Sequence, residues 1–223
     1  MDRSLALTIY RRLRSAFKEE LETRLASLDK YLRDPFKLLI ATILSQNTND
    51  KNSFRAYKSL EERIGVSPES LARAEVSEIA DAIRVAGLYR VKAKVIRELS
   101  KIILNEYNGR IESLLDGPLD EVRDRLMKMP GIGAKTADIL LLFFKGEPTF
   151  PVDTHVNRVS KRLGLAPIEG GYEEVRMSLM RRYPPKLYLE MHLLLILLGR
   201  KYCRSRNPSC GSCPLADLCP KGR

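Results

Sequence analysis

Four cysteines, Cys203, Cys210, Cys213 and Cys219, fall within 17 residues, and the 202 residues before them contain none. Thiols this close together serve one metal site, because a disulfide framework would spread its bridges across the fold. Structural zinc usually takes two short C-x2-4-C knuckles. The spacing here, C-x6-C-x2-C-x5-C, has one knuckle flanked by wider gaps. That suits a loop wrapped around a cubane cluster held by four thiolates, with zinc as the competing reading. Arg204 and Arg206 lie between the first two thiols. They are counterions for an anionic cluster, contacts to nucleic-acid phosphates, or both.

A second constellation is Met129-Pro130-Gly131-Ile132-Gly133-Ala134-Lys135-Thr136. One helix ends at the proline and a glycine-rich hairpin opens the next. Glycines permit positive φ and close backbone approach. The amides at the new helix's N-terminus then suit a phosphate, read without regard to sequence; an ordinary turn between two helices is the plain alternative. Gly131, Gly133 and Ala134 are the candidate phosphate contacts. Lys135 falls in the first helical turn, where the dipole disfavours an ammonium. A lysine with a depressed pKa is a nucleophile. Asp153 follows 18 residues later in Pro151-Val152-Asp153-Thr154-His155. It is a natural N-cap for the helix that starts at Thr154, and capping is compatible with a catalytic carboxylate. His155 and His192 are the only histidines, and they lack partners at ligand spacing. Ser45-Gln46-Asn47-Thr48-Asn49-Asp50 closes an apolar helix with short polar side chains, as a helix exit or as a polar plug facing a ligand.

The elements that must position these residues are helical. Residues 36–46 are apolar on nearly all sides, as in a helix buried inside a bundle. Ser67-Pro68 reads as a helix start. Helical spacing then predicts elements over 76–86, 91–106, 119–129, 135–145, 154–163, 172–183 and 187–200. Residues 1–20 form a further amphipathic helix. No strand alternation competes, so the fold class is all-α. The 223 residues carry a net charge of +11 with pI near 9.6, which points to a polyanionic partner such as nucleic acid. No apolar run approaches the roughly 18 residues of a membrane span, and residues 1–20 lack a signal peptide's apolar segment. An intracellular protein of cytoplasm or nucleoid is expected, not a secreted or membrane one.

PGIGAKTA, VDTHVNRV and the terminal cysteine pattern together resemble the endonuclease III family of helix–hairpin–helix DNA glycosylases, as do PFKLLIATILSQ (35–46) and GLYRVKA (87–93). The resemblance runs from about residue 30 to the end. It implies two helical domains flanking a DNA-binding cleft. One is a six-helix barrel over 28–147 with the helix–hairpin–helix at about 120–145. The other is a discontinuous cluster domain, 1–27 plus 148–223. It implies a [4Fe–4S] cluster on Cys203, Cys210, Cys213 and Cys219. It also implies a monomer that acts on double-stranded DNA with damaged bases, typically oxidised pyrimidines, or abasic sites. Lys135 would attack the sugar C1′ and expel the base, Asp153 would assist, and β-elimination would nick the strand. An ungapped match places Asn47, with Gln46 beside it, where the family fills the gap left by the flipped base. A monofunctional or mismatch glycosylase, or a non-catalytic helix–hairpin–helix module, is the alternative. Neither has a use for Lys135.

Overall fold

A computed structural model of the chain describes residues 3–220, the side chains of 29–32 excepted; residues 1, 2 and 221–223 lie outside it. Among the described residues every regular element is a helix, as the apolar periodicity predicts. The chain divides into two compact units, Met1–Asp29 with Gly146–Arg223, and Lys30–Lys145. In chain order, α1 (Arg3–Ala16) and α2 (Lys18–Leu32) come first. The single amphipathic helix expected at the N-terminus is thus two, separated at Phe17. That ring is buried, 1% exposed.

The 30–145 unit holds α3 (Pro35–Ser45), α4 (Asp50–Arg63), α5 (Pro68–Arg73) and α6 (Val76–Ala82). They are followed by α7 (Tyr89–Glu106), α8 (Ile111–Leu114), α9 (Leu119–Met127) and α10 (Ala134–Leu140). The starts are set by local chemistry. The Asp34 carboxylate accepts from Lys37 N at 3.0 Å, and Pro35 supplies the first-turn φ of α3. Ser67 and Ser70 exchange side-chain and backbone hydrogen bonds at the head of α5. Leu39, Ile40, Ile43 and Leu44 put nearly every side of α3 into one apolar core with Ala56 and Leu60 of α4, Ile96 and Leu99 of α7 and Ala137 and Leu140 of α10. Each such side chain contributes about 1.5–3 kcal/mol of burial.

Two further elements differ from the sequence periodicity. The helix expected over 76–86 stops at Ala82. Ile83 and Ala86 remain buried in a turn closed by Ala86 N donating to Ile83 O, so the apolar spacing outlasts the helix. The helix expected over 135–145 changes at Leu141 into a π-helical turn, Leu141–Lys145.

The first unit is completed by α11 (Thr154–Arg162), α12 (Tyr172–Arg182) and α13 (Tyr188–Lys201), followed by the cysteine loop. α13 is apolar from Leu193 to Leu198, and all six residues are buried. Gly199 lets α11 approach closely; a Cβ there would stand 2.9 Å from His155 Nδ1.

One ion pair fixes how α9 meets α10. Asp138 is completely buried, and Arg123 grips it with Nε at 2.9 Å from Oδ1 and Nη2 at 3.3 Å from Oδ2. The two-point geometry holds the helices that flank the hairpin at one angle. Removing the carboxylate strands a buried guanidinium. Asp138→Ala should therefore lose about 3–5 kcal/mol in denaturant unfolding. A loss under about 1 kcal/mol would show that the pair does not brace these helices.

Candidate functional site

The hairpin is built from two glycines with different tasks. Gly131 has φ +74°, and a Cβ on it would overlap Val95 Cγ1 of α7. Its backbone therefore sits directly on α7, a contact only glycine allows. Ile132, 4% exposed, anchors the turn in the core. Gly133 has ordinary extended backbone and caps α10, its carbonyl accepting from Thr136 N and Ala137 N at 2.9 and 3.0 Å. A Cβ on Gly133 would meet nothing within 4 Å. The hairpin thus presents an open backbone face at Gly133 and Ala134. Lys135, half-buried, is the second residue of α10.

The polar run after α3 comes to the same place. Gln46 Nε2 donates to Thr136 Oγ1 at 3.2 Å and to Gly131 O at 3.4 Å. Asn47 beside it is exposed and takes φ +49°, a left-handed conformation that asparagine tolerates better than most residues. Gln46, Gly131, Gly133, Ala134 and Lys135 are therefore neighbours, and Asn47 stands at the edge of the group.

Sequence reasoning passed over Lys92. It is buried, 4% exposed, and its ammonium donates to Leu44 O at 2.9 Å, to Gln46 O, and to Thr48 Oγ1 at 2.8 Å. Burial pulls its pKa from 10.5 down to about 8. A signal existed: Lys92 occupies the apolar stripe of α7 that continues through Ile96, Leu99 and Ile103. Leu88, also passed over, is 60% exposed at φ +57° beside Gly87.

Asp153 belongs to the other unit. It caps α11 as expected, Oδ1 accepting from Val156 N at 2.7 Å. The segment before it is tied from two sides. His192, buried in α13, lies with Nδ1 3.0 Å from Pro151 O, and Val152 N donates to the Tyr172 hydroxyl. His155 lies 3.0 Å from Arg158 Nη2, and burial lowers its pKa. Both histidines are thus hydrogen-bonding residues.

The four cysteines form no disulfide and line one small cavity with Leu163, Leu198 and Ala216. All four thiols line that one cavity, the donor set that a four-thiolate cluster takes. Burial pushes the Cys213 thiol up, and Cys203, Cys219 and Cys210 push it the same way. The donor set fits iron–sulfur. Two arginines of α11 hold the loop. Arg158 donates to Cys203 O, and Arg162 donates to Arg204 O and Ser205 O. Arg204 is exposed and donates to Ser209 Oγ at 2.8 Å, whereas Arg206 is simply exposed.

Comparison with known proteins agrees with this geometry. Residues 40–185 match the HhH-GPD superfamily of base excision DNA repair proteins, and the chain belongs to that class. Residues 203–219 match the iron–sulfur binding domain of endonuclease III. Endonuclease III of Bacillus subtilis (strain 168) is 39% identical over 190 residues, 85% of this chain and 83% of the relative. The structure resembles a non-covalent endonuclease III–DNA complex with TM-score 0.83 and 34% identity, covering 100% of this chain and 97% of that one. It also resembles a trapped endonuclease III–DNA covalent intermediate, with TM-score 0.75 and 36% identity over 92% and 96%. The chain is a member of the endonuclease III family. It is a base-excision-repair DNA glycosylase and abasic-site lyase that carries a [4Fe–4S] cluster.

If the four cysteines are the ligands, the purified protein is brown and holds about four irons and four sulfides. Cys213→Ser should lose most of that iron and increase proteolysis within 203–219. Full iron content in the variant would remove Cys213 from the ligand set.

Proposed function

We propose that Lys135 is the nucleophile and Asp153 its carboxylate partner in excising oxidised pyrimidines from duplex DNA. The observation that carries this is Lys135 itself, an amine in the first turn of α10 beside the open backbone of the hairpin. A non-catalytic module needs the glycines but not the amine. The trapped covalent intermediate of a 36% identical neighbour supports the reading.

A base inside a duplex hides the sugar C1′, so the nucleotide must leave the stack first. The Lys135 amine then forms a bond to C1′ as the glycosidic bond breaks, and the base departs with the bonding electrons and a proton. Asp153 stabilises positive charge on the sugar or takes the proton from the attacking amine. Its cap bond to Val156 N fixes its direction throughout. The bound nitrogen loses a proton, its lone pair then breaks the C1′–O4′ bond, and O4′ takes up a proton, which opens the sugar to a protonated imine. Removal of a C2′ proton expels the 3′ phosphate and nicks the strand. Hydrolysis frees the lysine.

Gly131, Gly133 and Ala134 take backbone phosphates in this reading, which position the duplex without reading it. Asn47 fills the gap left by the flipped nucleotide. Gln46 is engaged with the hairpin and Asn47 is exposed, which supports that division. Cys203, Cys210, Cys213 and Cys219 hold the cluster, which cross-links the loop carrying Arg204 and Arg206. Arg206 is the better phosphate contact, because Arg204 is engaged by Ser209. The two units correspond to a barrel domain with the hairpin and a cluster domain. The protein works as a monomer inside the cell, where reduced thiols persist. No helix among the described residues is long and apolar enough to cross a membrane.

Three variants test this. Lys135→Gln should abolish both the borohydride-trapped adduct and strand nicking while DNA affinity stays largely intact, and Asp153→Asn should slow base release by ~10²-fold or more. Normal trapping by the first variant would remove Lys135 from the mechanism, and an unchanged rate in the second would leave Asp153 a cap alone. Gly133→Asp tests the hairpin. Its side chain has room and favours a helix N-terminus, so folding should survive. Its charge should weaken binding to damaged and undamaged duplexes alike. An effect confined to damaged DNA would place Gly133 in the base pocket.

A further inference from the structure

We infer that Lys92 is a positioning residue for damage recognition: its buried ammonium locks the Gln46-Asn47-Thr48 turn in the shape that presents Asn47 to DNA. This rests on the reading that the turn touches DNA.

Three observations converge. First, the ammonium has three N–H donors, and all three find acceptors at the exit of α3: Leu44 O, Gln46 O and Thr48 Oγ1. They span five residues of chain, so one cation fixes the whole turn. Second, Lys92 has no carboxylate among these partners. The partial negative charge at the C-terminal end of α3 compensates the ammonium instead, a weak return for burying a charge. A stripe position of this kind would otherwise be apolar. Third, the turn is also tightened by the residues just before α7. Gly87 N donates to Thr48 Oγ1 at 3.0 Å, and a Cβ on Gly87 would overlap Asn47 O. Asn47 is thereby held at φ +49°. A left-handed residue flanked by a three-point clamp and a glycine contact is over-determined, as expected where local strain serves recognition.

One turn along α7, Val95 receives the backbone of Gly131. The two contacts set the reading turn and the hairpin against one helix, and Gln46 links them directly. Lys92 therefore acts through Asn47 and touches neither DNA nor the reacting atoms.

The test is a double-mutant cycle on single-turnover base release from a duplex with one oxidised pyrimidine, in cluster-loaded protein. Asn47→Ala and Lys92→Met should each slow release by about tenfold, with binding to undamaged duplex within about twofold of the parent. The double variant should be no slower than the slower single variant, because Lys92 works through Asn47. Lys92→Arg, which keeps the cation and its donors, should recover most of the rate. Multiplying effects, or a folded Lys92→Met that releases base normally while Asn47→Ala does not, would overturn the proposal and leave the reading of the turn intact. A normal rate in Asn47→Ala would overturn that reading and the proposal with it. If Lys92→Met fails to fold, Thr48→Ala decides by the same cycle. It removes one acceptor and should slow release by about threefold, without adding to Asn47→Ala.

Discussion

Gly131 rests its backbone where any side chain would overlap Val95 of α7. Everything in the 30–145 unit that bears on chemistry is referred to that contact. It sets the height of the hairpin, and the hairpin sets where α10 begins and where Lys135 stands in its first turn. The Arg123–Asp138 pair then fixes the angle at which α10 leaves α9. Lys92, three residues before Val95, holds the polar turn after α3 to the same helix. A side chain on a short helix start has no fixed position without such seating, and reactions that depend on position lose rate quickly with misplacement.

The other unit repeats the principle with different groups. Asp153 is aimed by the cap it provides and by the anchoring of Pro151 and Val152 to His192 and Tyr172. Helix α11 then runs from Asp153 to Arg162, which holds the loop of cluster cysteines through Arg204 O and Ser205 O. A loop so rich in polar and small residues buries little apolar surface, so the metal supplies its order. A cluster held by the four cysteines would fasten that basic loop in place.

Much of this was legible in the residues. The helical class followed from apolar spacing, and the capping roles of Ser67 and Asp153 followed from residue type. The cysteine spacing left zinc open, which the match of residues 203–219 to an iron–sulfur domain closes. Helix ends were the weak point. At 83–86 the buried positions keep their spacing after the helix has stopped, and pattern cannot distinguish those cases. Lys92 was hidden for a different reason. A lysine in an apolar stripe reads as a surface residue until the three oxygens that satisfy it are seen, and those lie 44 to 48 residues away in the chain. The different tasks of Gly131 and Gly133 likewise depend on a neighbour from α7 that no local motif encodes.

The central claim is that one amine, that of Lys135, carries the covalent step. The most direct measurement is to reduce the complex with abasic-site DNA by borohydride, digest it and locate the sugar remnant by mass spectrometry. The account predicts the remnant on Lys135, in the peptide that follows the hairpin glycines. Lys92 is the informative rival, since burial lowers its pKa to about 8. A remnant on Lys92, or on any amine other than Lys135, would contradict the account.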